Sequence, residues 1–549
     1  MERKEDTFKT ETNNILAKVA GVLTFALLFI FPLYVEDRYA NILRAKYRFY
    51  FTSVLAAFGV VVVLSLVFLF IDRMENGGAR TKAWFARLSP KNWKEYFAPF
   101  EGALICFMAA AVISALQSEY FYESVWGNEG RYSGAFLLLV YGVSVFLIGR
   151  LFRFKQWYLE AFLISSLLVC FFGITDYFHL NVLGFKTGLS MESMNIFTST
   201  FGNINTYTAF VVMAMGLAAV LYAAADTRKK MIWYYVCVVI IFTAAITGQS
   251  DNVYLALAVL FGFLPFYCFG TWKGIRRYVI MAASLLTIIW ILGLMDASIK
   301  GNEAWQVIGL DGLARFVGGF SGTPVIAVVL WALAAGLFAL EKKRGGTGRT
   351  PSAGKTEDLA GKWPRRIWTA VVILTAVIIL AVLYDANVAG HGERYGAAAN
   401  YLIFNDSWGT DRGFAWRFAM ELYDQFPFIH KLFGYGPDTF GILTTSYTGS
   451  TATKMYEDLG VIYDSVHNAY LQYLVTIGVA GLVSYLAFLI LAIVWIVRRG
   501  RKSPAVMACA FAVCCYCGQA VVNIDLPAVT PVFWTLLAVG AAAVRTEKK

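Results

Sequence analysis

Apolar runs of membrane-spanning length constrain this chain more than any motif does. A helix needs roughly 20 consecutive, mostly apolar residues to cross a bilayer. Such runs recur near 18–35, 51–71, 100–117, 133–149, 157–175, 203–224, 231–247, 253–271, 279–296, 322–340, 367–384, 468–496, 504–522 and 529–544. They predict an all-α integral membrane protein with 14 transmembrane helices and one large loop outside the cytoplasm. Charge usage agrees: 15% of residues are charged, against about 25% in soluble domains. An ionisable side chain at mid-bilayer costs a few kcal/mol, roughly 2.5–3.5 on insertion scales.

The net charge of +11 points to the membrane surface and not to nucleic acid, because of where the charge lies. With both termini cytoplasmic, the basic stretches Arg73 to Lys94, Arg228-Lys229-Lys230, Lys273 to Arg277 and Arg498 to Lys502 all fall on the inner side. That is the positive-inside pattern. One loop departs from it: Arg38, Arg44, Lys46 and Arg48 fall outside, which calls for an interfacial helix or a different start to the second span. Glu36-Asp37-Arg38 follows the first run in place of a small-residue cleavage site, so this run is expected to remain as a helix. The eight cysteines lie in or near apolar runs. Cys514-Cys515-Tyr516-Cys517 is read as small apolar residues packed in a helix.

Three segments interrupt the apolar pattern. Residues 72–98 are basic and aromatic and predict a short cytoplasmic amphipathic piece. Residues 341–366 read as a flexible inner linker. Its Gly354-Lys355-Thr356 lacks both the upstream glycine, where Arg349 stands, and the preceding strand of a phosphate-binding loop. The third segment, 386–466, is too long for a structureless loop. Within it Phe414 to Phe426 predicts an amphipathic helix lying at the membrane surface.

The outer loop also holds the candidate chemistry. Arg412 and Arg417 flank Trp416, and a planar guanidinium fork suits phosphate. Gly434-Tyr435-Gly436-Pro437-Asp438-Thr439-Phe440 follows, then Asp464-Ser465-Val466-His467-Asn468 at the start of the twelfth run. Histidine can take a proton near neutrality, and a helix N-terminus favours an anion. Taken singly, these residues equally suit interfacial anchors, a plain turn and a helix-start histidine; the combination favours a site. The four histidines are scattered with no i, i+4 pair, so no metal site and no cofactor is expected.

From about Phe201 to Trp534 the chain resembles the O-antigen ligase and polymerase family of bacterial envelope proteins. Arg412 with Trp416, the Gly434, Gly436 and Phe440 turn, and His467-Asn468 with Leu471, Gly478 and Gly481 follow the family's order and spacing. Gly202-Asn203-Ile204-Asn205 matches an earlier family feature. Asn128, Gly130 and Arg131 resemble a Gly-Arg feature in an outer loop of relatives, and Pro437-Asp438-Thr439 resembles the variant in Gram-positive members. Where many members carry Ser-Arg after Thr-Gly, this chain reads Thr247-Gly248-Gln249-Ser250-Asp251-Asn252, without the arginine, and Val466 replaces the usual Ala or Ser before the histidine.

The resemblance implies two regions: N-terminal transmembrane helices over 1–200, with the basic loop 72–98, and a ligase/polymerase-like domain over 201–545 of GT-C-like architecture, with the linker 341–366 and the outer catalytic loop 386–466. It implies transfer of a glycan from an undecaprenyl diphosphate carrier to a hydroxyl of a glycan, lipid or protein, at the outer face of the bacterial cytoplasmic membrane. His467 and Arg412 would be catalytic, with Arg417 and Arg131 on the donor diphosphate. Asp464, Asn468, Trp416, Gly434 and Gly436 would support them. Polymerase and ligase are not separated by these features. The alternatives are a small-anion transporter or channel, against which there is no inverted repeat, and a non-catalytic envelope scaffold, which the missing arginine favours.

Overall fold

A computed structural model describes residues 2–87, 89, 91–299, 307–345, 360–446, 456–457, 460 and 462–547. Residues 346–359 of the predicted linker, with Gly354-Lys355-Thr356, lie outside these, as do 447–455 of the outer loop. The protein is helical almost throughout; its sheet among the described residues is one two-stranded hairpin, Phe197–Thr198 with Gly202–Asn203. Among the described residues eleven helices are long and apolar enough to cross a membrane. The other three predicted runs fall on Ala135–Leu151, Asn252–Cys268 and Thr530–Glu547, of 17, 17 and 18 residues. The chain divides into two compact units, one of residues 1–165, 418–513 and 523–549, the other of 166–417 and 514–522. This division differs from the predicted one at residue 200, because segments distant in sequence pack into the same unit.

In the first unit Pro99–Gln117 packs along Ala469–Gly500, and Ala135–Leu151 packs against Thr530–Glu547. Buried Trp534 lies between Tyr141 and Phe488, at ring distances of 5.3 and 5.0 Å with planes 8° and 13° apart. The first span is longer than the apolar run alone indicates. Glu2–Phe25 continues through a π-turn, Ala26–Ile30, into Phe31–Leu33. The second helix, Ile42–Asn76, begins before the predicted 51. That shift accounts for three of the four misplaced charges: Arg38 stays in the turn before the helix, Arg44, Lys46 and Arg48 are in the helix's first turns, and Lys46 is no surface charge at all. Its fully buried ammonium donates to the carbonyls of Phe31 (2.7 Å) and Pro32 (3.1 Å), closing the end of the preceding helix. The predicted amphipathic piece is present as Ala79–Arg87 and Trp93–Tyr96, tied back by Thr81, whose N–H and hydroxyl both donate to Asp72 at 2.8 Å.

In the second unit Ile204–Ala224 is buried over nearly its whole length and packs on Arg228–Thr247 and Asn252–Cys268. Arg277 caps it from a neighbouring helix, donating to the carbonyls of Tyr222, Ala223 and Ala225 at 2.9, 3.2 and 2.7 Å. These are the last carbonyls of a helix, which lack the regular i+4 donor. Trp363–Asn387 is apolar and almost entirely exposed, as a lipid-facing helix must be.

Candidate functional site

The predicted residues fall into two groups, one in each unit. The first is organised by the helix Ala469–Gly500. Asn468 is its N-cap, and its side-chain oxygen accepts the N–H groups of Tyr470 (3.0 Å) and Leu471 (3.1 Å). Asparagine suits this place because it satisfies amides that have no helical partner. His467 therefore stands one residue before the cap, in left-handed backbone (φ 53°), half-buried, with the Tyr463 ring edge-on at 6.0 Å.

Two turns into the helix the backbone breaks at Gly478 (φ 72°, ψ −172°). The Thr476 carbonyl then accepts the N–H of Gly436 and the Ser114 hydroxyl, each at 2.9 Å. Gly434 (φ 71°) lies against the same break; a Cβ there would run into the Thr476 carbonyl, and one on Gly478 into that of Leu432. The Gly434 carbonyl accepts from Gln117 at 2.9 Å and also lies 2.9 Å from His430 Nδ1, while the His430 ring stacks on Tyr435 at 3.9 Å and 7°. The glycine turn is thus docked onto the helix that follows His467.

Arg131 reaches this place from the 127–134 loop. Its Nε donates to Asp464 Oδ2 at 2.9 Å, Nη2 donates to Oδ1, and Nη2 reaches Ser465 Oγ at 3.4 Å. Asp464 is 59% exposed and Arg131 20%. Burial pushes the Asp464 carboxyl up, but the Arg131 hydrogen bonds and charge, with His467 beside it, outweigh that and hold it below the usual range. Residues 464–467 do not form a helical turn.

Asp438 reads in the sequence only as part of the glycine turn, and its own role was passed over. It is buried, in left-handed backbone (φ 64°), and its Oδ2 accepts the N–H of Asn128 (2.8 Å) and of Ser133 (3.1 Å). It therefore clamps the loop that carries Arg131. Burial raises its carboxyl to about 7 against the pull of those two N–H groups and Arg131. Asp525, also passed over, accepts from the Tyr473 hydroxyl at 2.9 Å. A cavity of about 40 Å³ lies among Arg131, Asp438, Ser465, Tyr473 and Asp525, far below the roughly 300–1,000 Å³ of ligand pockets. The signals were available: Asp438 adjoins the glycine turn, and Asp525 is an acid between two apolar runs.

The second group is in the other unit. Trp408–Gln425 covers the predicted surface helix, but Gly409, Thr410 and Asp411 are left-handed, so the regular helix starts at Arg412. Its apolar stripe, Phe414, Phe418 and Leu422, is buried in protein, which corrects the prediction that it lies on the membrane. Arg412 Nη1 donates to the Gly409 carbonyl at 2.5 Å. It walls a cavity of about 590 Å³ with Asp251, Tyr254, Tyr401 and Trp408, which is of ligand size. Burial lifts the Asp251 carboxyl, with Arg412 pulling down and Asp311 pushing up. Arg417 pairs bidentately with Asp406 (2.9 and 2.7 Å) and lies over the Phe414 ring. Trp416 packs against Trp408 and Phe404 at 5.2 and 5.9 Å. Beside the cavity, Ser250 donates to Asn205 Oδ1 (2.6 Å) and Asn252 to the Asn205 carbonyl (3.2 Å). The Gly202–Asn205 feature is thereby joined to the junction that lacks the arginine.

Residues 312–486 match the family model described as O-antigen ligase. The matched stretch contains Arg412, Trp416, Arg417, Gly434, Gly436, Asp464, His467 and Asn468; Arg131 lies outside it. No curated protein matches the chain.

Proposed function

We propose that this multi-pass membrane protein of the O-antigen ligase/polymerase family, a glycan-transferring enzyme of envelope polysaccharide biosynthesis, takes its glycan from undecaprenyl diphosphate and passes it to an acceptor hydroxyl at the outer face of the bacterial cytoplasmic membrane. His467 takes the acceptor proton, as a neutral imidazole is suited to do. The acceptor oxygen bonds to the anomeric carbon as the bond from that carbon to the diphosphate oxygen breaks. The lipid diphosphate leaves with the electron pair, and the anomeric centre inverts. Arg412, with Arg417 in the same unit, neutralises diphosphate oxygens, so that no divalent ion is required.

The observation that carries this reading is the ligand-sized cavity walled by Arg412 inside the matched segment. The ion pairs of Arg417 with Asp406 and of Arg131 with Asp464 are part-exposed and cost only about 0–1 kcal/mol to open, so both forks are available to a phosphate. Asn468, Trp416, Gly434, Gly436 and Asp464 hold the reacting groups in place.

The test is complementation of a deletion strain, with expression of each variant checked and the glycan profile as readout. His467→Ala is expected to lower transfer about 10²–10⁴-fold. Arg412→Lys fails as well, because a point charge does not replace a bidentate fork. His391→Ala, whose ring pairs with Asp385 at 2.8 Å, keeps activity. Full-length glycan from both of the first two variants would overturn the assignment. Loss of long chains in the deletion strain would mean polymerase; intact lipid-linked chains left unattached would mean ligase.

A further inference from the structure

The first unit has a second charged cluster, far along the helices from His467. It lies where Pro99–Gln117 begins and where Ala135–Leu151, Ala469–Gly500 and Thr530–Glu547 end. Glu101, 2% exposed, is the acid among the described residues there that makes ion pairs. Its Oε1 takes Arg150 Nε (2.8 Å) and Arg545 Nη2 (3.0 Å); its Oε2 takes Arg150 Nη2 (2.7 Å) and the Ala98 N–H (2.8 Å). A carboxylate offers about four acceptor positions, so Glu101 is saturated.

More donors remain. Arg499 lies over the Trp495 ring at 4.9 Å, and Arg545 over the same ring at 5.4 Å. Among the described residues Arg499 has no carboxylate partner. Trp495 is 8% exposed, and its indole N–H is buried without an acceptor. Around Glu101 three guanidiniums face one carboxylate. Arg150 and Arg545 also donate to the carbonyls of Tyr96 (3.0 Å) and Gly149; the unmatched donors are the exposed Arg499 guanidinium and the buried Trp495 N–H beside it, and because buried donors are nearly always paired, the pair suits an acceptor-rich anion. Access is open: Arg150 and Arg545 are 32% and 27% exposed, and Arg499 is exposed. Phe97, with Trp93 stacked on it at 4.3 Å and Arg150 over it at 4.4 Å, adds the aromatic rim of a membrane–water boundary.

We propose that Arg499, Trp495, Arg150 and Arg545 bind the phosphate of an anionic lipid head group, with Glu101 positioning two of the three arginines. The helix-end location and the aromatic rim favour a lipid over free phosphate. Charge placement in the sequence puts this end on the inner side, where anionic head groups attract basic clusters.

The test uses the purified full-length protein, stripped of lipid. It is given phosphatidylglycerol, phosphatidylcholine or inorganic phosphate, with native mass spectrometry and Tm as readouts. Phosphatidylglycerol should remain bound and raise Tm where phosphatidylcholine does not. Arg499→Gln should weaken it about 10- to 100-fold, the loss of one charge-assisted hydrogen bond. Trp495→Phe, which keeps the ring stack and removes the N–H, should weaken it less but measurably. Equal retention of both lipids, undiminished binding in both variants, or an equal Tm rise with phosphate alone would each overturn the proposal.

Discussion

Asp438→Asn isolates one buried carboxyl whose titration bears on the Arg131 loop. In the folded protein the group titrates near 7, against an ordinary value of 3.8, because burial disfavours its charged form. The unfolded chain therefore ionises first as pH rises. An acid with a raised folded value contributes stability that is fully present below the unfolded value and is lost up to the folded one. The window here runs from about pH 4 to pH 7. At 1.36 kcal/mol per unit, the stability lost between pH 5 and pH 8 is about 2–3 kcal/mol. The amide of asparagine keeps an oxygen for the N–H groups of Asn128 and Ser133 but does not titrate. Urea or thermal unfolding in detergent at pH 5 and pH 8 should thus show that span in the parent and lack it in Asp438→Asn, with the variant the more stable relative to parent at pH 8. The difference between the two proteins removes every other titrating group. An identical pH dependence in both would refute the reasoning, and so would a variant that loses more stability at pH 8 than at pH 5.

Three further outcomes are expected. Gly434→Ala should destabilise the protein by more than about 3 kcal/mol, since its backbone is in a glycine-only region and the added methyl meets the Thr476 carbonyl; unfolding of the purified variant measures this, and near-parental stability would show that the turn is not docked as described. Purified enzyme with a lipid diphosphate glycan and acceptor should turn over in chelator; complete loss with recovery on adding a divalent ion would count against arginine as the diphosphate counter-charge. A cysteine at position 430, in a background without other exposed thiols, should react with an impermeant reagent on intact cells, whereas one at position 352 should react only after permeabilisation. The reverse pattern would place the site on the wrong side.

The spans were legible in the sequence because lipid solvates apolar side chains and almost nothing else. What was not legible is where helices end inside the protein. A helix end needs donors for its last carbonyls, and here they arrive from distant residues. Lys46 serves Phe31 and Pro32, and Arg277 serves Tyr222, Ala223 and Ala225. In the sequence Arg277 reads as one of the inner topogenic charges and Lys46 as an exception to them. The amphipathic stripe of Phe414, Phe418 and Leu422 misled for a similar reason. Periodicity reports that one face is apolar, not whether lipid or protein covers it.

The site was legible where a residue's chemistry is local and obscure where it depends on a partner far along the chain. Asn468 announces a helix start by itself, and the structure makes it the cap. The Gly434-Tyr435-Gly436 motif reads only as a turn, yet its glycines are required by a helix some forty residues later. Gly478 breaks that helix, the break frees the Thr476 carbonyl, and the Gly436 N–H occupies it. Neither Gly434 nor Gly478 tolerates a side chain, because each lies against the other segment's backbone. A turn and a helix that interlock through backbone alone leave no pairing of side chains for a reader of the sequence to notice. The same interlock sets the position of the segment that carries His467, since the helix it precedes is held at its second turn by Gly436 and Ser114. A mutation in the turn should therefore disturb the histidine without touching it, and His430, stacked on Tyr435 and bonded to Gly434, acts at that same joint.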